Sequence, residues 1–133
     1  MTKITTPRCT TITPIVPVSD LDRALEFYTS ILDFTVQAKD DGYAYIVRDD
    51  VALRLLTATE EPASGEQACY ICVENIDGLF EQMKAKLDRL PEGRVRAPFD
   101  QPYGQREFHV TDEDSLLIFF GCLLYTSPSP RDS

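Results

Sequence analysis

Two stretches of this chain are written on one plan, and that repetition constrains the fold more than any other feature. "VSDLDRALEFYTSIL" (Val18 to Leu32) and "VENIDGLFEQMKAKL" (Val73 to Leu87) lie at a constant offset of 55, and each runs Val-x-polar-aliphatic-Asp into a helical pattern. In the first, Leu21, Ala24, Leu25, Tyr28, Ile31 and Leu32 recur at the spacing of one helix face; in the second, Ile76, Leu79, Phe80, Met83 and Leu87 do the same. Ser19 or Asp20, and Glu74 or Asn75, supply the N-caps. A β-like run precedes each helix, "TITPIVPV" before the first and "ACYICV" before the second.

Three β-like segments follow the first helix: "FTVQAK", "GYAYIVRD" and "VALRLLTA", parted by turn signals at Asp41-Gly42 and Asp49-Asp50. After the second come a weak segment around "GRVRAPF", then "QREFHVTD" and "SLLIFFG", parted by "DED". The chain therefore reads β-α-β-β-β twice, an α+β fold with "TEEPASGEQ" (Thr59 to Gln67) as the linker. Such a repeat points to duplication and a pseudo-two-fold, with an open barrel-like groove between the sheets as the natural place for a ligand. The expectation is one domain over residues 1–121, with modules of about 12–58 and 68–121. Residues 122–133, "CLLYTSPSPRDS", read as a non-native or disordered tail, because Ser-Pro-Ser-Pro is extended and builds no core.

Charge removes several functional classes. Thirteen basic against twenty-two acidic residues give a net charge of −9, which opposes nucleic-acid binding and suits a cationic ligand. From Asp20 to Asp50 eight acids stand against Arg23, Lys39 and Arg48, so the local balance is −5. No apolar run reaches the roughly 18 residues of a membrane span, and "MTKITTPRCTT" has no signal-peptide core, so a cytoplasmic protein is expected. Cys69 and Cys72 form a C-x-x-C inside a strand, where their side chains point to opposite faces; they read as structural thiols, not as a metal or redox pair.

The segment "IVRDDVALRL" and the block "QPYGQREFHVTDEDSLLIFF" carry a more specific signal. Together with the paired modules they resemble the vicinal-oxygen-chelate superfamily, which holds glyoxalase I, extradiol dioxygenases and bleomycin-resistance proteins. The likeness covers Ile12 to Gly121 and is strongest to the bleomycin-resistance proteins. That resemblance implies a divalent metal between the modules in the enzymes of the superfamily. The matching positions here are Thr13, Arg54, Ala68 and Phe119, which supply no ligand set for such an ion. No metal, no cofactor and no catalytic residue are therefore expected.

What the resemblance implies instead is a binder that sequesters a bulky, partly planar antibiotic of the bleomycin type. It also implies a homodimer that exchanges N-terminal arms, with Pro14 ending the arm. The alternatives are a metal-free enzyme of the same fold, with His109 or Glu107 as general base, or a glyoxalase- or dioxygenase-like protein. The family's aromatic clamp has a Phe after helix one and a Trp in Pro-Trp-Gly; this chain has Ala38 and Tyr103 at those places. The ligand-binding set expected is Phe34, Ala38, Tyr43, Tyr45, Arg54, Leu55, Gln101, Tyr103 and Phe119. Tyr103 is the stacking platform at the mouth, Arg106 a structural residue on the face of Phe108, and His109 a bystander on the opposite face.

Overall fold

A computed structural model of the protein describes residues 6–58 and 67–123. The linker residues 59–66, the first five residues of the expected arm and residues 124–133 of the expected tail lie outside the described residues. The elements run β1 (Ile15–Val18), α1 (Leu21–Ser30), β2 (Thr35–Asp40), β3 (Tyr43–Arg48), β4 (Val51–Thr57), β5 (Gln67–Cys72), α2 (Ile76–Leu87), β6 (Val95–Asp100), β7 (Gln105–Thr111) and β8 (Leu116–Leu123). Both helices start where the polar residues at their N-termini place them. Asp20 accepts from the Arg23 amide and Asn75 from the Gly78 amide, each satisfying a donor that the helix leaves open.

The two modules have the same strand order. One four-stranded sheet runs β1-β4-β3-β2 and the other β5-β8-β7-β6, with the first strand of each parallel to its neighbour and the remaining pairs antiparallel. Neither sheet closes into a barrel. Gly42, at φ 78°, makes the turn of the β2–β3 hairpin, a conformation for which Asp-Gly is suited. The weak segment around "GRVRAPF" becomes β6, whose register slips between Arg96 and Phe99. That bulge breaks the alternation on which a strand signal depends.

Strand alternation sends one set of side chains to the helices. Val16, Val18, Ala44, Ile46, Leu53 and Leu55 do this in the first sheet, and Phe108, Val110, Ile118 and Phe120 in the second. With Leu21, Leu25, Tyr28 and Leu32 of the first module and Ile76, Met83 and Leu87 of α2 they form one buried cluster that spans both modules. Each large apolar side chain so buried contributes about 1.5–3 kcal/mol. Polar contacts reinforce the junction. Tyr28 donates its hydroxyl to Asp112 Oδ2 at 2.7 Å, both groups being buried, while Asp112 Oδ1 accepts the Asp114 and Leu116 amides at 2.8 and 2.9 Å. Lys86 Nζ meets Asp33 at 2.5 Å, and Arg23 pairs with Glu113.

Two boundaries differ from expectation. Strand β8 continues through Cys122, opposite Arg106, and Leu123, opposite Gln105, so ladder pairing takes in two residues that composition assigned to the tail. At the other end, residues 6–14 have no regular structure, and the Pro14 carbonyl accepts the Arg54 amide at 2.9 Å just before β1. Ile12 in this segment is 92% exposed.

Candidate functional site

The side chains that alternate away from the core make a second face on each sheet, turned away from the helices. In the first sheet this face carries Ile15 and Pro17 of β1, Arg54 and Leu56 of β4, Tyr43 and Tyr45 of β3, and Ala38 of β2, as the cross-strand pairs Ile15–Arg54, Tyr45–Arg54 and Ala38–Tyr45 require. In the second it carries Tyr70 of β5, Phe119 and Gly121 of β8, Glu107 and His109 of β7, and Phe99 of β6. Ile15 and Tyr70 are related by the same offset of 55, so Arg54 and Phe119, their partners, hold equivalent positions in the two sheets. By the same register Tyr45 corresponds to His109 and Tyr43 to Glu107.

The first face is built around a cation. The Arg54 guanidinium lies 4.8 Å from the centroid of Tyr45 and donates to the Tyr43 hydroxyl at 2.5 Å. The second is built around a carboxylate. Glu107 is 0% exposed and accepts hydrogen bonds from Gln101 Nε2 at 3.0 Å and from the Tyr103 hydroxyl at 2.5 Å, with His109 Nε2 at 2.9 Å. Burial alone would raise its pKa, but the hydrogen bonds from His109, Tyr103 and Gln101, with the Tyr70 hydroxyl nearby, outweigh it, and the net shift is downward. Glu107 is held ionised. The Tyr103 and Tyr70 hydroxyls move the other way. The bond to Glu107 is the main cause for Tyr103, and burial followed by Glu107 for Tyr70.

Aromatic rings surround this carboxylate. Tyr70 stacks on Phe119 at 5.7 Å with an interplanar angle of 21°, and its hydroxyl donates to Gln105 at 2.7 Å. His109 lies 4.2 Å from Phe119 and 5.1 Å from Phe99 between ring centroids. Tyr103 sits in the β6–β7 turn, closed by the Gly104 amide donating to the Gln101 carbonyl at 3.1 Å, with Gly104 at φ 85°. The residue is 59% exposed although its hydroxyl is tied down. A cavity of about 400 Å³ is lined by both modules, with Thr13, Tyr45 and Ala52 on one side and Tyr70 and Cys72 on the other.

Two of the expected ligand residues belong elsewhere. Leu55 is fully buried in the core, because it alternates with Arg54 and the two side chains take opposite faces. Phe34 is buried with its ring edge-on to Tyr28 at 6.0 Å, and it lines a separate pocket of about 620 Å³ beside the N-terminus of α2. Ala38, Tyr43, Tyr45, Arg54 and Phe119 lie on the two open faces, with Gln101 and Tyr103 on the turn above the second. Arg106 shares the face of Phe108 and pairs with Asp77 of α2 and Asp100 at 3.0 and 2.8 Å. His109, read from the sequence as a bystander, faces Glu107, and Tyr70 and Phe99 join the cluster unanticipated. The signal for His109 was the alternation around buried Phe108, which puts Glu107 and His109 on one side; Tyr70 and Phe99 join through strand pairing with Phe119 and Glu107. Of the four positions that match the superfamily's metal ligands, Arg54 and Phe119 sit at the centres of the two faces, and Ala68 is on the Tyr70 face opposite Leu117. Among the described residues no three His, Cys, Asp or Glu side chains converge as a metal site would require.

The profile of the Glyoxalase/Bleomycin resistance protein/Dioxygenase superfamily matches residues 9–120, and the chain belongs to that superfamily. Within it, the chain is 29% identical to the bleomycin resistance protein of Geobacillus stearothermophilus, over 80% of this chain and 92% of that protein, and equally to that of Staphylococcus aureus. Among solved structures, a bleomycin resistance determinant encoded on transposon Tn5 superposes with a TM-score of 0.74 at 21% identity, covering 88% of this chain and 100% of its own. A bleomycin-binding protein complexed with bleomycin gives 0.73 at 24% identity, over 86% of this chain and 98% of its own. These likenesses establish the fold. Among the described residues no helix is long and apolar enough to cross a membrane.

Proposed function

We propose that the protein binds and sequesters a bulky, partly planar antibiotic of the bleomycin type without altering it chemically. The observation that carries this reading is Tyr103: an exposed ring whose hydroxyl is fixed to buried Glu107, so that a flat stacking surface is held ready at the rim of the second face. A ring already ordered loses little conformational freedom when a ligand stacks on it. The bleomycin resistance proteins at 29% identity support the same ligand class. Ala38, Tyr43, Tyr45, Arg54, Gln101, Tyr103 and Phe119 then form the binding set, with Tyr70, Phe99 and His109 added.

The same geometry argues for a binder over a catalyst. Glu107 is 0% exposed and already engaged with Gln101, Tyr103 and His109, so it is placed to anchor the site and not to take a proton from a ligand. Two chains exchange their N-terminal arms: Ile12 and Ile15 are large apolar side chains left 92% and 63% exposed, and a partner's surface would cover them. The domain comprises both modules through Leu123. Its compartment is the cytoplasm, which suits four free thiols.

Calorimetric titration with bleomycin tests this. Saturation at one ligand per chain is expected, with a dissociation constant between micromolar and nanomolar, about −8 to −12 kcal/mol, and mass spectrometry should recover the drug unchanged. Tyr103→Ala should weaken binding by about 1–3 kcal/mol through lost stacking and burial. Equal affinities would remove Tyr103 from the site, and a modified drug would replace the binder with an enzyme.

A further inference from the structure

We propose that the first sheet's open face selects a ligand whose planar ring bears an oxyanion, a carboxylate or phenolate, and that Arg54 is the residue that recognises it. The inference rests on the reading above that this face meets the ligand, and it adds the ligand's chemistry.

Among the described residues the other half-buried cations are matched with acids: Arg48 with Asp49, Lys86 with Asp33, Arg94 with Glu113, and Arg106 with Asp77 and Asp100. Arg8, Arg89 and Arg96 have no acid partner, but they are exposed to water. Arg54 is half-buried and has none. Among the described residues no carboxylate stands within 4.0 Å of it; its neighbours are the ring of Tyr45 and the hydroxyl of Tyr43. A guanidinium has five N–H donors in a planar fork, and the bond to Tyr43 uses only one of its nitrogens. The group is half-buried at the middle of β4, one of the two central strands of its sheet, and so is partly withdrawn from water without a counter-charge. Such a group gains most from a ligand that brings the missing charge, and the fork geometry fits a carboxylate with two parallel hydrogen bonds.

The surroundings define the rest of the ligand. Tyr43 and Tyr45 flank Arg54 on the neighbouring strand, so an oxyanion held by the guanidinium carries its attached ring onto aromatic surface. In a chain of net charge −9 this is a local reversal of sign. It opposes the expectation that acids alone set the ligand's charge, because the acidic residues Asp20 to Asp50 leave the centre of this face to a cation.

The test uses a matched pair of flat probes that differ only in charge, 2-naphthoate and 2-naphthamide, titrated by NMR into the whole protein. Naphthoate should bind about tenfold tighter, with the largest shifts on the Tyr43 and Tyr45 rings. Arg54→Gln should erase that preference, while Arg54→Lys should keep part of it, since the charge remains and the fork is lost. Thermal unfolding and amide spectra of both variants establish that they are folded. Equal binding of the two probes, a preference that survives Arg54→Gln, or no binding of either at about 10 mM would overturn the inference. A parallel titration with bleomycin keeps the two readings apart: bleomycin bound with no naphthoate preference sinks only the oxyanion assignment. Naphthoate preference without bleomycin binding sinks only the bleomycin reading.

Discussion

Replacing Glu107 by Gln removes one charge from a fully buried position while keeping the side chain's shape. In the native arrangement Oε1 faces Gln101 Nε2 and His109 Nε2, and Oε2 accepts the Tyr103 hydroxyl. A glutamine at 107 can still accept on one side, but its amide then points at Tyr103, whose hydroxyl must turn from donor to acceptor. Hydrogen bonds to a charged group contribute about 1.5–3 kcal/mol each against about 1 for neutral ones, so the net loss should be about 1–3 kcal/mol. At a urea slope of about 1–3 kcal/mol per molar this moves the unfolding midpoint down by roughly 1 M. The effect must also depend on pH. The folded pKa of Glu107 lies below its ordinary value of 4.5, so its stabilisation is fully present above that value and is lost as pH falls through the folded pKa. Urea curves for the two proteins should therefore be well separated at neutral pH and draw together in acid below the ordinary value. A separation that stays constant across that range, or no separation at neutrality, would refute the account of Glu107 as an ionised anchor.

Two further outcomes follow from the packing. At Gly121 an added Cβ would stand 2.1 Å from the Tyr70 hydroxyl and 3.0 Å from Glu107 Cγ, so Gly121→Ala should drive Tyr70 off Phe119 and cost about 1–3 kcal/mol, read by ring NMR shifts and urea unfolding. Unchanged Tyr70 resonances would contradict the crowding. Leu55→Ala should destabilise by about 2–5 kcal/mol while leaving the affinity of the folded protein for bleomycin unaltered, since Leu55 is in the core; a selective loss of affinity would return it to the site.

The duplication, both helices and most strands were legible because their signals are local. Apolar periodicity marks α1 and α2, polar residues cap them, and Asp-Gly marks the first hairpin. β6 was faint because a bulge spoils its alternation, and the end of β8 was hidden because Cys122 and Leu123 precede a Pro-Ser run that dominates the composition. In the site, the roles of single side chains were harder to read than their positions. Arg54 and Leu55 are adjacent and were both assigned to the groove, although a strand cannot turn neighbours to one face. Glu107 gives no sign in sequence that it is buried; a carboxylate is ordinarily solvated, and only the donors brought from Gln101, Tyr103 and His109 by the β6–β7 hairpin make its enclosure tolerable. Those contacts belong to tertiary folding, which periodicity does not encode.

The central strands that carry the open faces also carry the core, residue by residue in alternation: Leu53 and Leu55 against Arg54 and Leu56, Ile118 and Phe120 against Phe119 and Gly121. The two jobs are thereby uncoupled at single-residue resolution. A mutation at Arg54 or Tyr45 should alter what the surface presents without replacing a core side chain. Gly121 and Glu107 are the exceptions, being open-face positions that are also structurally committed, so adaptation of the ligand spectrum should run chiefly through the first sheet.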